Sequence, residues 1–198
     1  KYFSNDDIEI YNDQLVVSGN YIFNKRKEII KLLKDKILGY YNSLLSYSED
    51  IDIVYKSQLS ENSFSDLLNK NIEKDKILCY TSSGIHRDDI DFFVNGLSMK
   101  KTGSQGQQKS FTLSLKFAEF ELLKKMIGFK PLFLIDDLFD KLDKNRVSSI
   151  ISFITTNDFG QIFITDTDLE RIKLIIRNTD LDFKFFSIKN NKVDEEIF

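Results

Sequence analysis

The feature that most constrains the fold is a short apolar run, residues 132–135, that ends in two adjacent aspartates, Asp136 and Asp137. The run is continuous rather than alternating, which is typical of a strand in a parallel sheet covered by helices on both faces. Ligands of such sheets bind beyond the carboxyl ends of the strands. The sequence therefore predicts a buried strand whose last residues face a functional site.

Strand and helix patterns alternate on both sides of this run. Further strands are predicted at residues 161–165 and 183–188, and helical periodicity covers residues 107–126, 144–154 and 169–177. Strands that alternate with helices indicate an α/β fold.

The first part of the chain is mainly helical. Apolar side chains recur at helical spacing over residues 10–45, which predicts one long helix or two consecutive ones. A half-buried strand is predicted at residues 50–55 and a helix at residues 63–75. Residues 90–96 predict a second strand that ends in an Asn-Gly hairpin turn.

The net charge and the apolar runs of the chain bear on its partners and its location. The chain has 198 residues and a formal net charge of −3, so a DNA partner would need local patches such as residues 25–27, 100–101 or 124–125. Each of these clusters is more simply explained as a solvated helix face. Neither a membrane-length apolar run nor a signal peptide is present, and a cytoplasmic protein is expected. Because the chain begins with Lys1, we expect that an N-terminal portion precedes it.

Cysteine and histidine each occur once. Cys79 excludes an intrachain disulfide and is expected to be a buried thiol in a short extended segment, residues 79–83. His86, as the single histidine, excludes a multi-histidine metal site. It is expected to order a turn, paired with a neighbouring acid, and a functional role is the alternative.

Ser104 and Gln107 have the spacing of a capping box before an amphipathic helix. Capping alone explains these two residues. It does not explain the glycines beside them, Gly103 and Gly106, which let backbone amides approach an external group. A helix N-terminus binds anions, so the segment predicts either a simple cap or a phosphate-binding turn.

Asp136 and Asp137 would repel each other at the end of a buried strand, and Mg²⁺ with nucleotide phosphates would relieve that repulsion. Two acids that extend into solvent are the alternative. Asp143 follows at the start of the next predicted helix, where it could serve only as an N-cap.

Taken together, these segments resemble one superfamily. Residues 104–108 look like the signature motif of the ABC-type ATPases, residues 133–137 like a Walker B strand and residues 140–143 like the D-loop. With residues 84–89 and the following Asn-Gly pair, they resemble the RecF family of bacterial DNA replication and repair proteins in particular.

The resemblance implies an α/β fold with two regions. Residues 79–198 would be the C-terminal lobe of an ABC/SMC-type ATPase head, a mostly parallel sheet with flanking helices. Residues 1–78 would form a mainly helical arm region. The chain would then be the C-terminal part of a RecF-like protein.

The resemblance also implies an ATP-dependent homodimer that holds nucleotide between its subunits. Ser104, Gly106 and Gln107 would contact the γ-phosphate of ATP bound by the partner subunit. The run Gly-x-x-x-x-Gly-Lys-Ser/Thr is missing from these 198 residues, so this chain alone should not bind ATP in the usual way.

The remaining site residues would serve the nucleotide of the same subunit. By resemblance, Asp136 would hold Mg²⁺ through water, Asp137 would orient the attacking water and Asp143 would line the dimer interface. Thr165 or Thr167 would sense the γ-phosphate, where many relatives have a histidine. Because Asp137 is shorter than the glutamate of many ABC ATPases, slow hydrolysis is expected.

The partners implied by the resemblance are DNA at single-strand gaps and junctions, RecR, RecO and RecA. The processes implied are recombinational repair, replication and the SOS response. Two alternatives stay open: the head of another SMC-like ABC ATPase, and a non-enzymatic DNA-binding scaffold.

Overall fold

A computed structural model gives the fold of the chain. It describes residues 5–45, 49–138, 142–167, 173, 182–190 and 192–196. The chain divides into two compact units, Lys1–Gly128 and Phe129–Phe198. The predicted helix at residues 169–177 lies, apart from residue 173, outside the described residues. None of the helices in the described ranges is long and apolar enough to cross a membrane.

The first unit begins with a single long helix, α1, Asn5–Ser43, which confirms the helical prediction for this region. The other elements follow in chain order: β1 (Ile51–Lys56), α2 (Phe64–Leu78), β2 (Asp89–Val94), β3 (Leu97–Ser98), α3 (Met99–Thr102) and α4 (Gln105–Ile127), with 3₁₀ turns at Gln58–Ser60 and Ile85–Arg87.

Strands β1, β2 and β3 form an antiparallel sheet in that order. The register pairs Ile51 of β1 with Val94 of β2. Asn95 and Gly96, between β2 and β3, have φ angles of 49° and 74°. Two consecutive left-handed residues are what a type I′ hairpin turn requires, and these two types adopt them readily. The predicted turn is confirmed.

The core of the first unit combines side chains from α1, the sheet, α3 and α4. Its buried members are Ile37, Tyr41, Leu45, Ile51, Ile53, Val94, Met99, Phe111 and Ala118. Full burial of one large apolar side chain contributes about 1.5–3 kcal/mol, so this cluster holds α4 firmly against α1. Helix α1 lies in the predicted arm region and α4 in the predicted lobe. The compact unit spans both, and the division between residues 78 and 79 stays a prediction.

The second unit contains a β-α-β arrangement. Strand β4, Phe133–Ile135, pairs in parallel with β5, Ile162–Ile164, and helix α5, Lys144–Thr156, lies between them in sequence. Strands β6, Phe185–Lys189, and β7, Lys192–Glu196, form an antiparallel hairpin. The sequence pattern predicted β6 but not β7, whose residues are mostly charged.

Only one face of β4 is buried. Phe133 and Ile135 are each 7% exposed, whereas Leu134 between them is 70% exposed. Successive side chains of a strand point to opposite faces, so the face that carries Leu134 and its neighbour Phe163 on β5 is open. The prediction of a strand covered on both faces is therefore wrong for this chain.

Cys79 is exposed, so the prediction of a buried thiol is wrong. It ends α2 in the left-handed conformation, with φ 58°. A left-handed residue of this kind follows the last residue of the helix, so its side chain does not continue the apolar face of the helix. Residues 79–83 form turns and bends rather than an extended segment.

Candidate functional site

The first turn of α4 carries the predicted signature segment. The Oγ of Ser104 accepts a hydrogen bond from the backbone N–H of Gln107 at 3.2 Å, and Oε1 of Gln107 accepts one from the N–H of Ser104 at 2.9 Å. The predicted capping box is confirmed. A hydroxyl has a hydrogen to donate besides its acceptor lone pairs, so exposed Ser104 can donate to an external oxygen. Helix N-termini also present backbone N–H groups, which makes this turn suitable for an anion.

Gly103 is required by close packing within the chain. A Cβ at this position would lie 2.7 Å from both the carbonyl oxygen and Cγ of Met99. The carbonyl oxygen of Gly103 also accepts a hydrogen bond from Nε2 of Gln108 at 3.0 Å. The sequence predicts that an external group approaches this glycine, whereas the structure shows that a contact within the chain requires it.

Glu49, which no pattern in the sequence predicts, contacts the signature turn (residues 104–108, at the start of α4) from inside the unit. Its Oε1 accepts a hydrogen bond from Nε2 of Gln107 at 2.7 Å, and its Oε2 accepts one from the Tyr41 hydroxyl at 2.5 Å. Glu49 is only 7% exposed. Its position shortly before β1 was the available signal, but an acid there is far more often solvated.

The two predicted Walker B acids follow β4, and Thr165 follows its parallel partner β5. The Thr165 hydroxyl donates a hydrogen bond to Oδ1 of Asp136 and accepts one from the backbone N–H of Asp137 at 3.1 Å. The backbone N–H of Thr165 donates to the carbonyl oxygen of Ile135 at 3.0 Å. Three predicted site residues are therefore brought together at the carboxyl ends of parallel strands, where ligands of α/β sheets bind.

Asp137 has a left-handed backbone, with φ 46°. Aspartate and asparagine tolerate this conformation better than other residues with a side chain, and β-branched residues tolerate it poorly. The next residue, Leu138, donates its N–H to the carbonyl oxygen of Thr165 at 3.4 Å. The sharp turn after β4 is thus held from β5.

Asp143 acts as the N-cap of α5, the alternative that the sequence left open. Its Oδ1 accepts a hydrogen bond from the backbone N–H of Arg146 at 2.9 Å, and its Oδ2 lies 3.4 Å from Nε of the same residue. Residues 139–141, which include the first two of the four residues of the predicted D-loop, lie outside the described residues. An interface role for Asp143 stays a prediction. Thr167 is exposed beyond the end of β5.

A metal site formed by protein ligands alone does not fit the described part of the chain. That part contains no group of three His, Cys, Asp or Glu side chains placed to bind a cation. Mg²⁺ at nucleotide sites needs less from the protein, because one or two carboxylates suffice when phosphates and waters complete its coordination. Asp136, exposed at the end of β4, supplies one such carboxylate. The donor set fits Mg²⁺ that arrives with a nucleotide.

The predicted basic clusters are partly neutralised by the protein's own acids. Lys25 pairs with Glu28 at 2.7 Å and Lys100 with Asp89 at 2.6 Å. Exposed pairs of this kind weaken the field that a phosphate backbone would experience.

His86 is exposed in the 3₁₀ turn. Among the described residues it has no ion pair or hydrogen bond, and the expected pairing with an acid is not observed. The acid beside it, Asp88, is held instead by Arg26 at 2.9 Å and by the hydroxyl of Tyr55 at 2.5 Å. The turn is therefore ordered through Asp88.

The chain is similar in sequence to known proteins over nearly its whole length. No family model matches the chain. The DNA replication and repair protein RecF of Flavobacterium johnsoniae is 45% identical over 186 residues, which cover 94% of this chain and 52% of that protein. The RecF of Azobacteroides pseudotrichonymphae is 38% identical over 192 residues, which cover 97% of this chain and 52% of that protein.

Solved structures support the fold. A structure of the recombination mediator protein RecF with ATP matches with a TM-score of 0.76 and 24% identity, over 100% of this chain and 52% of that chain. A structure from work on ATP-driven dimerisation of SMC ATPases matches with a TM-score of 0.54 and 13% identity, over 88% of this chain and 89% of that chain. The predicted α/β fold is confirmed, and the chain shares this fold with RecF and with the SMC ATPases. The matches confirm the resemblance to RecF, and the chain spans about half the length of the curated relatives that it matches.

Proposed function

We propose that this chain contributes two half-sites for ATP to a RecF-type recombination mediator ATPase. The observation that carries the proposal is the contact of Thr165 with both acids at the carboxyl end of β4. A solvated acid pair would have no need of a neighbouring strand to orient it. The ATP bound to the related RecF structure supports the choice of nucleotide.

One half-site serves the nucleotide of the same subunit. Asp136 would hold Mg²⁺ through a water molecule, and the ion would neutralise charge on the phosphates. Asp137 would orient the attacking water and accept its proton. Because the Thr165 hydroxyl already contacts both acids, the exposed Thr167 is the better candidate of the two threonines for contact with the γ-phosphate.

The other half-site would serve the nucleotide of a second subunit. The hydroxyl of Ser104 would donate to a γ-phosphate oxygen across the dimer interface, and the first backbone N–H groups of α4, near Gly106 and Gln107, would add further donors. ATP-driven dimerisation of the SMC ATPases that share this fold supports this arrangement.

The larger function that we propose is that of the family. The complete protein would bind ATP and DNA at single-strand gaps and junctions as an ATP-dependent dimer. It would cooperate with RecR, RecO and RecA in recombinational repair. The RecF structures are described within the RecFOR pathway, which supports the first two partners.

Substitution of Ser104 by arginine in the full-length protein tests this proposal. Ser104→Arg should abolish ATP-induced dimerisation and preserve ATP binding by each subunit, because the added side chain blocks the contact across the interface, while the loss of the Ser104 cap affects only the start of α4. Sedimentation velocity with and without ATP measures the dimer. Thr112→Arg is the matched control, since it adds the same charge at an exposed position on the same helix. Normal dimerisation of Ser104→Arg would refute the role across the interface.

A further inference from the structure

The signature turn is held from inside the first unit by a buried carboxylate. We infer that Glu49 is a positioning residue for this turn and that it acts through the side-chain amide of Gln107. The functional part of this inference rests on the proposed nucleotide site. The structural part, a restraint on the first turn of α4, does not depend on it.

The amide of Gln107 makes two hydrogen bonds that require opposite chemistry. Its Oε1 accepts from the N–H of Ser104 at 2.9 Å, while its Nε2 donates to Oε1 of Glu49 at 2.7 Å. A carboxylate only accepts hydrogen bonds, so the NH₂ group has to face Glu49. If the amide were rotated by half a turn, two oxygens would meet at Glu49 and two donors would meet at Ser104. Glu49 therefore selects the orientation that completes the capping box.

Glu49 is itself held in place by α1. Its second oxygen, Oε2, accepts from the hydroxyl of Tyr41, which is fully buried. The ring of Tyr41 lies 6.2 Å from that of Phe111 in α4, measured between centroids. The carboxylate thus connects α1 with the start of α4, next to the apolar core of the unit.

Stability alone is a poor explanation for this carboxylate. In the part of the chain that the structure describes, the partners of Glu49 are two neutral donors, and no Lys or Arg lies within ion-pair distance. A buried acid without a cation is costly, and apolar side chains in place of both Glu49 and the Tyr41 hydroxyl would be expected to cost less. The gain that remains is a defined orientation for Gln107.

That orientation determines how well the turn can meet a phosphate. Without an acceptor at position 49, Gln107 can leave the N–H of Ser104, and the first turn of α4 loses half of its cap. Ligand contacts depend on supporting residues that keep the contacting group within a fraction of an ångström. The hydroxyl of Ser104 would then meet the partner's nucleotide less often in its productive position.

Two substitutions in the full-length protein separate the hydrogen bonds from the charge. Glu49→Met keeps the volume but removes the acceptor, and we expect ATP-dependent dimerisation to weaken about tenfold, the value of one hydrogen bond to a charged group. Glu49→Gln can present its oxygen to Gln107 and its NH₂ group to the oxygen of Tyr41, so it should retain most of the dimerisation. ATP binding by the monomer should stay within about twofold for both.

Hydrogen exchange provides a measurement that does not depend on nucleotide. Glu49→Met should speed exchange of the backbone N–H of Ser104, while amides in the middle of α4 keep their protection. Unchanged exchange at Ser104 would overturn the inference. Faster exchange with unaltered ATP-dependent dimerisation would overturn its functional part.

A double-substitution cycle distinguishes positioning from general packing. Once Gln107→Leu has removed the amide, adding Glu49→Met should weaken dimerisation no further, because Glu49 acts through that amide. Additive losses would contradict the inference. If the unaltered protein does not dimerise with ATP at all, the proposed function fails, and so does the functional part of the inference about Glu49. The exchange measurement alone then tests whether Glu49 restrains the first turn of α4.

Discussion

The backbone N–H of Asp137 donates a hydrogen bond to the hydroxyl oxygen of Thr165 at 3.1 Å, from one parallel strand end to the next. The same hydroxyl donates its hydrogen to Asp136. One side chain after β5 therefore restrains the first acid by its carboxylate and the second by its backbone. By resemblance Thr165 or Thr167 would sense the γ-phosphate, and this contact indicates that Thr165 also holds the acids in place.

Loss of this hydroxyl should slow hydrolysis more than it weakens nucleotide binding. Thr165→Val keeps the shape of the side chain but removes both hydrogen bonds, and we expect steady-state ATP turnover to fall about tenfold. Thr165→Ser should retain most of the activity because it keeps the hydroxyl. Phosphate release and equilibrium binding of a fluorescent ATP analogue measure the two effects in the full-length protein. Equal loss in both variants would argue against the hydrogen bonds as the cause.

Asp137→Asn should leave ATP binding and ATP-dependent dimerisation intact and lower hydrolysis about 100-fold or more, the usual contribution of a general base. Asparagine tolerates the left-handed backbone at φ 46°, so the turn itself should persist. Single-turnover hydrolysis checks this prediction. Asp158→Asn, which removes an acid paired with Lys130, is the matched control. Unchanged turnover in Asp137→Asn would exclude it as the water-orienting acid.

The pH dependence of stability should include a contribution from Glu121 of α4. Hydrogen bonds from the Lys36 ammonium and from the Tyr40 hydroxyl hold the pKa of Glu121 below its ordinary value of 4.5. A lowered pKa in the folded state stabilises the protein above the ordinary value, and this contribution is lost as the pH falls through the lower one.

Glu121→Gln should therefore reduce the free energy of unfolding by about 0.5 kcal/mol at pH 7, a small value because the pair is partly solvated. The difference from the unaltered protein should disappear as the pH falls below 4.5. Urea denaturation at several pH values measures it, with Glu119→Gln as the control, since Glu119 pairs along its own helix with Lys116. A difference that does not shrink as the pH falls below 4.5 would contradict the assignment.

Cys79 should react with a thiol reagent in the native state. Its side chain is exposed at the end of α2, and its sulfur lies 3.7 Å from the carbonyl oxygen of Lys76. We expect labelling of the folded protein within a few-fold of the rate in denaturant, since no opening of the structure is needed. Mass spectrometry of the labelled protein measures the extent of reaction. If the thiol were labelled only after unfolding, it would be buried, contrary to this prediction.

Much of the local structure followed from the sequence. The cap of α4, the Asn95-Gly96 turn and the strand before Asp136 depend on residues within four positions of one another, so their patterns are visible in the chain itself. The resemblance that these motifs carry was confirmed by relatives up to 45% identical.

Only the tertiary structure determined which side chains hold the motif residues in place. Glu49 reaches Gln107 across 58 positions of sequence, and Asp136 meets Thr165 across 29. Hydrogen bonds between such distant residues form because α1 packs on α4 and β4 pairs with β5, and neither packing nor pairing leaves a periodic signal at the residues concerned. The sequence alone determined which residues form the motifs, whereas long-range packing decided which side chains orient them.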